Sequence, residues 1–360
     1  MNQMWIMLWA LAIGHSAWVW INAYRRGSRA AAPRSFPLTT PPLISILIPA
    51  WNEIAVIART IRSLQASDHP RWEAILIAGG ADGTETFARE LCADDSRFTI
   101  IAQPPRGKNA ALNLGLAHAQ GEIIVLLDAD TEVDRAWLAH LAAPILCGES
   151  AATTICYPTQ TTWVSMIYVM EKCAAYAVRG NVILSGGGGI ALRRALIDQL
   201  GGFPEDVTVG VDWDLDQRVK QLGIQPVFAN MARIETPLAH TIREYLRTET
   251  RWRRAHVQSI LRHHDWSGLA FYAAAFLFWI APLSLLTPFA PIVPILWCWF
   301  LLRRFSLSIE LFAATRDRIW LRYCLTPILL TPIDFIAAIM GVSSARRKEI
   351  FFKGFRPPKG

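Results

Sequence analysis

The chain of 360 residues is short of charge. Asp, Glu, Lys and Arg make up 18% of it, 52% is hydrophobic, and the mean hydropathy is +0.26. That composition excludes a disordered chain. It points away from an ordinary soluble enzyme and towards membrane segments. Cysteine is sparse too: the six, at 92, 147, 156, 173, 298 and 324, form no C-x-x-C pair and no Cys/His group of zinc spacing. A zinc module is thereby excluded, and buried, reduced thiols are expected, as suits a cytosolic domain. Acid is missing from the first 42 residues, which hold Arg25, Arg26, Arg29 and Arg34 for a local charge of +4. The stretch 346–360 carries six basic residues against Glu349, or +5, so the net +7 leaves the middle of the chain at −2. A basic excess confined to the ends excludes a nucleic-acid-binding face. No repeat or low-complexity segment is present.

What is there begins with an uncharged run, Met1–Tyr24. Its core, Met4–Ala23, would be about 30 Å long as a helix, enough for one span. A cleaved signal peptide would have a basic n-region, whereas here Arg25 and Arg26 follow the apolar run; an uncleaved anchor with its N-terminus outside is expected. Ser267–Leu302 is a second uncharged run, too long for one span. Pro282, Pro288, Pro291 and Pro294 suggest two shorter helices folded back on each other. A third apolar stretch, Ile319–Ala345, is interrupted by Pro332 and Asp334, which suggests a re-entrant or interfacial hairpin with Asp334 capping a helix restart. Nine of the 15 Trp fall in or beside these runs, as an aromatic belt predicts. His263-His264 reads as an interfacial pair.

Between the ends lies a regular rhythm. Apolar, β-branched runs at Leu43–Ile48, Ala74–Ala78, Phe98–Ala102 and Ile123–Leu127 alternate with helical patterns at Ile54–Leu64, Thr84–Cys92 and Asn109–Ala119. This predicts an α/β fold with a doubly wound, mostly parallel sheet, whose ligands bind beyond the carboxyl ends of its strands. Further on, Thr161–Val178 is amphipathic, Leu184–Leu192 is strand-like, Asp212–Leu222 helical and Pro226–Ala229 a strand. Thr241–Arg262 is a basic helix.

The polar residues that could carry chemistry sit at that carboxyl edge. Asp128-Ala129-Asp130 closes the most apolar strand. Carboxylates at i and i+2 can converge on one Mg²⁺ or Mn²⁺, which in turn neutralises a diphosphate; a solvated strand-end turn is the plain alternative. Gly107-Lys108-Asn109 opens a helix, where an N-terminus with a Lys beside it favours phosphate. The spacing is not that of a Walker motif, and an ordinary helix start is the alternative. Ser185-Gly186-Gly187-Gly188-Gly189 allows close backbone approach to a ligand, with a mobile turn as the alternative. Asp212 of Asp212-Trp213-Asp214 is a candidate general base and Trp213 a stacking platform, unless Asp212 only caps its helix. Arg251-Trp252 could clamp phosphate and stack on a sugar, or simply snorkel at an interface.

Each of these signals is weak alone; their order is not. PAWNE (49–53), Asp82-Gly83-Thr84, GKNAALNLGL (107–116), LLDAD (126–130), SGGGGIALRR (185–194), GGF (201–203), VDWDL (211–215) and RW (251–252) follow one another. Together they resemble the inverting family 2 glycosyltransferases of GT-A fold, in the membrane-anchored branch with cellulose-synthase-like and ceramide-glucosyltransferase-like enzymes. The resemblance covers roughly residues 43–262, and the closing FFKGFRP (351–357) also looks like the basic tail of such proteins. It implies that Pro49, Ala50 and Glu53 line the nucleotide site and that Lys108 lies in the loop over the nucleotide. Asp128 and Asp130 would be the metal-binding pair, Asp130 the more direct ligand, and Asp212 the general base. Arg251 and Trp252 would be the end of the QxxRW motif. Three positions depart from the family. Ala78-Gly79-Gly80-Ala81 replaces Asp-Asp-Gly-Ser, leaving Asp82 to take the contact with the base. Val211 replaces the Glu of the ED motif, and Thr248 the Gln of QxxRW.

The resemblance implies a single transfer from a nucleotide-sugar donor, a UDP-sugar, to a membrane lipid or lipid-linked hydroxyl acceptor. The implied order is an anchor (1–24), a basic linker (25–42), a cytoplasmic catalytic domain (43–240), a basic interfacial helix (241–266), membrane segments (267–345) and a basic cytoplasmic tail (346–360). The setting would be a bacterial inner membrane; no nucleic-acid partner is implied and no oligomer specified. Two other classes are a processive polysaccharide synthase and a non-catalytic nucleotide-sugar-binding scaffold. The eroded QxxRW argues against the first, the retained Asp128, Asp130 and Asp212 against the second. A sugar nucleotidyltransferase would want a Gly-rich basic loop where Ala50-Trp51-Asn52-Glu53 stands.

Overall fold

Strand side chains point alternately to opposite faces, and β1 (Ile44–Trp51) uses both. The computed structural model that contains it describes residues 2–30, 42–184, 188–207, 210–264, 272 and 292–345. Ile44, Ile46, Ile48 and Ala50 enter one core, with Ile57, Ile61 and Leu64 of α2 (Ile57–Gln65) and Trp137, Leu138 and Leu141 of α5 (Trp137–Leu146). Leu47 enters the other, with Ala111 and Leu112 of α4 (Lys108–His118), Leu196 of α7 (Arg194–Leu200) and Leu215 and Val219 of α8 (Val211–Gln221). A strand buried on both faces needs apolar residues at nearly every position, which is why this segment reads as a run rather than an alternation.

Among the described residues eight strands form one sheet in the order β3-β2-β1-β4-β7-β6-β8-β5. β1 lies parallel to both β2 (Trp72–Gly79) and β4 (Ile123–Leu126), and β2 is parallel to β3 (Phe98–Ala102). From β1 the chain runs outward through α3 (Thr84–Leu91) to β3, then returns through α4 to β4 on β1's other side. This reversal opens a crevice between the carboxyl ends of β1 and β4. β7 (Ile190–Arg193) is antiparallel to β4 and to β6 (Ala151–Pro158). β8 (Val227–Thr236) runs parallel to β6, and the short β5 (Glu132–Val133) pairs antiparallel at the edge. The fold is thus the expected α/β sheet.

Differences from the sequence reading have local causes. Within the predicted strand 184–192, β7 starts at Ile190, and the described Gly188 (φ 79°) and Gly189 (φ 140°) before it leave the extended region. β8 runs to Thr236, past the predicted Ala229, with Ala232 and Ile234 buried and polar residues between. β6 and α5, with Pro144 inside it, were not foreseen. Only Cys92 of the six cysteines is buried; Cys147 caps α5 in an exposed turn and the rest are half-buried. Burial, with the Asp95 carboxylate nearby, pushes the Cys92 thiol up to about 11, which disfavours its thiolate.

By contacts, the described residues within 33–159 and 182–238 form one compact unit, and those within 1–32, 160–181 and 239–346 a second, helical one. The stretch 43–240 is therefore interrupted: α6 (Met166–Cys173) and the π-helical turn Ala174–Val178 pack among the helices. In the helical unit, α1 (Asn2–Arg29) lies along α10 (Ile292–Thr315). Gly27 leaves no room for a Cβ against the Glu310 backbone, so the helices approach closely there. The buried Glu310 carboxylate accepts from Arg26 Nε (3.1 Å) and from Arg179 (Nη2 2.5 Å). Among the described residues, two helices are long and apolar enough to cross a membrane, Trp5–Arg29 and Thr326–Ser344. The predicted pair of helices in 267–302 and the basic tail lie largely outside the described residues.

After the short α11 (Ile319–Arg322), α12 (Thr326–Ser344) runs through Pro332 and Asp334 without the predicted break. Asp334 does not cap a restart. It accepts from Tyr245 Oη of α9 (Ile242–His263) at 2.5 Å and faces Arg304 Nη2 at 3.4 Å. Thr331 Oγ1 donates to Pro327 O in the turn before the proline, and Arg304 Nε donates to the same carbonyl. α9 itself starts on a capping box, Thr241 with Glu244. Gly341 of α12 sits against Arg253 and the Thr250 carbonyl of α9.

Within this packing Glu249 of α9 is buried beside Arg253 (3.0 Å). Burial, with the carboxylates of Asp334 and Glu171, pushes it up to about 7 against the pull of Arg253. A raised carboxyl pKa contributes stability that is present below the unfolded value and lost as pH rises through the folded one. Glu249→Gln, which imitates the protonated form, is expected to match the wild type in thermal midpoint near pH 4 and to exceed it at pH 8. Scanning the full chain in detergent at both pH values checks this; a variant less stable at pH 8 contradicts it.

Candidate active site

The carboxyl end of β1 is held open by backbone geometry. Asn52 takes a left-handed conformation (φ 56°), and its Oδ1 accepts from Ala81 N at 2.8 Å. Gly80 (φ 110°) packs against that side chain so closely that a Cβ there would collide with it. Pro49 and Ala50 lie in register with Ile77 and Ala78 of β2. The Glu53 carbonyl accepts the first turn of α2, from Val56 and Ile57, while its N–H donates to Thr84 Oγ1 at 2.8 Å.

Asp82, expected to face a nucleobase, does structural work. Its Oδ1 accepts from Thr84 N (3.0 Å) and Thr84 Oγ1 (2.6 Å), and its Oδ2 from Ile54 N (3.1 Å). Burial opposes its charge, but these hydrogen bonds outweigh it and hold its carboxyl below the usual range. Asp82 thus ties the β2–α3 turn to the β1–α2 loop.

At the end of β4, Leu127 N donates to Leu47 O (3.1 Å), and Thr60 Oγ1 of α2 donates to Ala129 O (2.7 Å). Ala129 is buried, while Asp128 and Asp130 on either side of it are half-exposed. The i, i+2 carboxylates are thus presented from a turn whose middle is fixed in the core. Gly188 lies directly against Asp128: a Cβ on it would meet the Asp128 backbone N and stand 3.1 Å from its Cβ. Gly187 lies outside the described residues.

Lys108, first residue of α4, closes the arrangement. Its Nζ stands 2.7 Å from Asp128 Oδ1. Burial works to lower the ammonium's pKa, but the carboxylates of Asp128, Asp212 and Asp130 overcome it and hold the pKa above the ordinary lysine value. The fold therefore brings Lys108, Asp128, Asp130 and Asp212 into one electrostatic cluster from three separate segments. Asp212 occupies the first turn of α8, behind Gly210 (φ 73°). Arg251 and Trp252 lie on α9 in the helical unit. Arg251 is exposed, and the Trp252 ring meets Tyr168 edge-on, centroids 5.2 Å apart.

The sequence reading missed the residues that anchor these loops. Asn109 Nδ2 donates to Pro204 O (2.6 Å), and Asn113 exchanges two hydrogen bonds with the Phe203 backbone (2.7 and 2.9 Å). GKNAALNLGL and GGF are thus two sides of one contact. The buried Asp216 accepts from Leu184 N (2.8 Å) and Lys220 Nζ (2.6 Å), fixing α8 to the chain entering the glycine turn. The available signal was polar residues at i and i+4 on the buried side of a helix. Gly188→Ala is expected to displace Asp128 and weaken donor binding at least about tenfold, a loss of roughly 1.4 kcal/mol, with little change in far-UV circular dichroism. Calorimetric titration with nucleotide-sugar checks this; unchanged affinity contradicts it.

With this geometry in hand, comparison with known proteins is direct. Residues 45–194 match Glycosyl transferase family 2, and residues 123–309, just over half of the chain, match Glycosyl transferase family group 2. The probable glycosyltransferase YdaM of Bacillus subtilis is 27% identical over 239 residues, 61% of this chain and 57% of that protein. A beta-monoglucosyldiacylglycerol synthase of Trichormus variabilis is 29% identical over 194 residues, 49% of this chain and 41% of its own length. The chain thus spans about half the length of these curated relatives. In fold it is similar to a mannosyltransferase from Pyrobaculum calidifontis solved with GDP-Man and Mn²⁺, with TM-score 0.59, 21% identity, and coverage of 96% of this chain and 99% of that one. A GT-A sheet, with matches to both family models, leads to one conclusion: the chain belongs to the family 2 glycosyltransferases.

Proposed function

We propose that this enzyme moves one sugar, with inversion, from a nucleoside diphosphate sugar to the hydroxyl of a membrane lipid or lipid-linked acceptor. The observation that carries the reading is the cluster of Asp128, Asp130 and Asp212 around Lys108 at the sheet's switch point. Asp128, Asp130 and Asp212, gathered about one ammonium, offer carboxylate oxygens that a further cation can share beside the path of a diphosphate.

The donor set fits a hard divalent ion. Asp128 and Asp130 offer carboxylate oxygens, and no group of three or more His, Cys, Asp and Glu that could hold a metal occurs among the described residues. A two-carboxylate site of this kind takes its remaining ligands from water and substrate phosphates, as Mg²⁺ and Mn²⁺ sites do. Bound there, such an ion would neutralise charge on the leaving diphosphate. The likeness to a mannosyltransferase solved with GDP-Man and Mn²⁺ supports both the donor class and the ion. The family resemblance favours uridine as the base.

This chain's own groups supply the rest. Asp212 takes the proton of the acceptor hydroxyl. That oxygen attacks the anomeric carbon from the face opposite the diphosphate; a new C–O bond forms as the old one breaks, and its electron pair leaves on the nucleoside diphosphate. Lys108 offsets charge on the departing phosphate. The glycine turn holds Asp128 in place.

The helical unit supports the acceptor class. α1 and α12 are long and apolar enough to span, and the basic flank after α1 suits a cytoplasmic exit. α9, with six Arg between Arg243 and Arg262, suits the anionic surface of a cytoplasmic leaflet. A relative named beta-monoglucosyldiacylglycerol synthase supports a lipid acceptor.

Asp212→Asn should keep donor affinity within about twofold and lower turnover by at least about a thousandfold, as loss of a general base does. Asp130→Ala should remove the Mn²⁺-dependent part of donor binding in calorimetry. Nucleoside diphosphate release by the full chain, with lipid and water-soluble acceptors compared, reads the first; full activity in Asp212→Asn refutes the base assignment. A ladder of products on a gel, rather than one glycolipid, refutes single transfer.

A further inference from the structure

One face of α1 carries a pattern that sugar transfer does not use. Met7, Leu11, Gly14, Trp18, Asn22, Arg25 and Arg29 recur at steps of three and four residues and so share one stripe of the helix. Its upper part is apolar and outward-facing: Met7, Leu11 and Trp18 are each more than half exposed, and a Cβ on Gly14 would meet nothing within 4 Å. Its lower part is polar and borders a cavity of about 430 Å³, lined by Trp18, Asn22, Arg25, Arg26, Arg29 and, from the π-helical turn, Val178.

The electrostatics of the cavity are unbalanced. Arg26 is held by Glu310, but Arg179 shares that same carboxylate. Among the described residues, neither Arg25 nor Arg29 forms an ion pair. Asn22 adds a second, independent signal: its Nδ2 is shielded from solvent and has no hydrogen-bond partner. A buried amide donor left unsatisfied costs roughly 1–3 kcal/mol. Ordinary basic flanks snorkel into water and need neither a cavity nor a buried amide.

We propose that this cavity binds the phosphate headgroup of an anionic phospholipid. The phosphate oxygens meet Arg25 and Arg29, a turn of the Asn22 side chain brings its amide to them, and an acyl chain lies along Trp18, Gly14, Leu11 and Met7. A free phosphate would satisfy the cations but leave the apolar stripe unused; the order of tail-like then head-like residues along one helix face favours a lipid. Basic pockets beside membrane helices take such headgroups by charge and shape together. The site rests on α1 spanning the bilayer, which alkaline carbonate extraction of membranes tests separately, and not on the identity of the acceptor.

The test is lipid retention by the full-length protein, reconstituted in phosphatidylcholine nanodiscs with added phosphatidylglycerol and read by native mass spectrometry after detergent exchange. Wild type should retain phosphatidylglycerol over phosphatidylcholine. Arg25→Gln with Arg29→Gln should lower that retention about ten- to thirtyfold, at about 1 kcal/mol per arginine, and Arg25→Lys with Arg29→Lys should restore much of it. Asn22→Leu changes no charge, so a several-fold loss there separates a built pocket from general attraction. Glycerol phosphate should fail to displace the lipid. Equal retention of the two lipids, no loss in the double Gln variant or in Asn22→Leu, or displacement by glycerol phosphate overturns the proposal. Thermal midpoints near wild type show that the variants are folded.

Discussion

Carboxylates that repel one another must be held together by the rest of the fold, and Asp128, Asp130 and Asp212 impose that demand here. Lys108 relieves part of the repulsion through its 2.7 Å pair with Asp128. The remaining architecture keeps the cluster from spreading. Thr60 pins the Ala129 carbonyl from one layer of helices, and Gly188 presses its backbone on Asp128 from the neighbouring turn. Asp216 fixes the start of that turn to α8, the helix that carries Asp212.

Much of this was legible in the sequence because both halves of the argument are local. The runs of β1 to β4 are apolar on both faces, so their strands and the α/β alternation stand out. The strand ends follow from that, and with them Asp128 and Asp130. Lys108 and Asp212 were legible from helix starts and motif order. What stayed hidden depends on contacts distant in sequence. Asn113 meets Phe203 across 90 positions, and Asp82 looks like a ligand until Thr84 and Ile54 are seen to occupy it. β6 escaped, and β8 was cut short at Ala229, because half or more of their residues are polar or small; α12 looked broken because Pro332 suggests an interruption that tertiary contacts prevent.

The helical unit answers to a different rule. Where apolar helices offer few polar partners, each buried charge must find its own, and it does so in small networks. Glu310 is shared by Arg26 and Arg179; Asp334 is met by Tyr245 and Arg304; Glu249 is met by Arg253. The arginines of these pairs stay partly exposed, so the pairs add little net stability and serve mainly to fix which helices pack together. The residues 160–181 join this unit, which puts the amphipathic segment and the Arg251-Trp252 helix in one body through Tyr168.

The central claim is that the cluster at the end of β4 is a cation site that Lys108 partly fills. Electron paramagnetic resonance titration of Mn²⁺ into the full-length protein without nucleotide tests it most directly. Replacing Lys108 with Met removes the ammonium that competes for Asp128, so Mn²⁺ should bind several-fold more tightly than to the wild type. Unchanged or weaker binding in Lys108→Met would contradict the account.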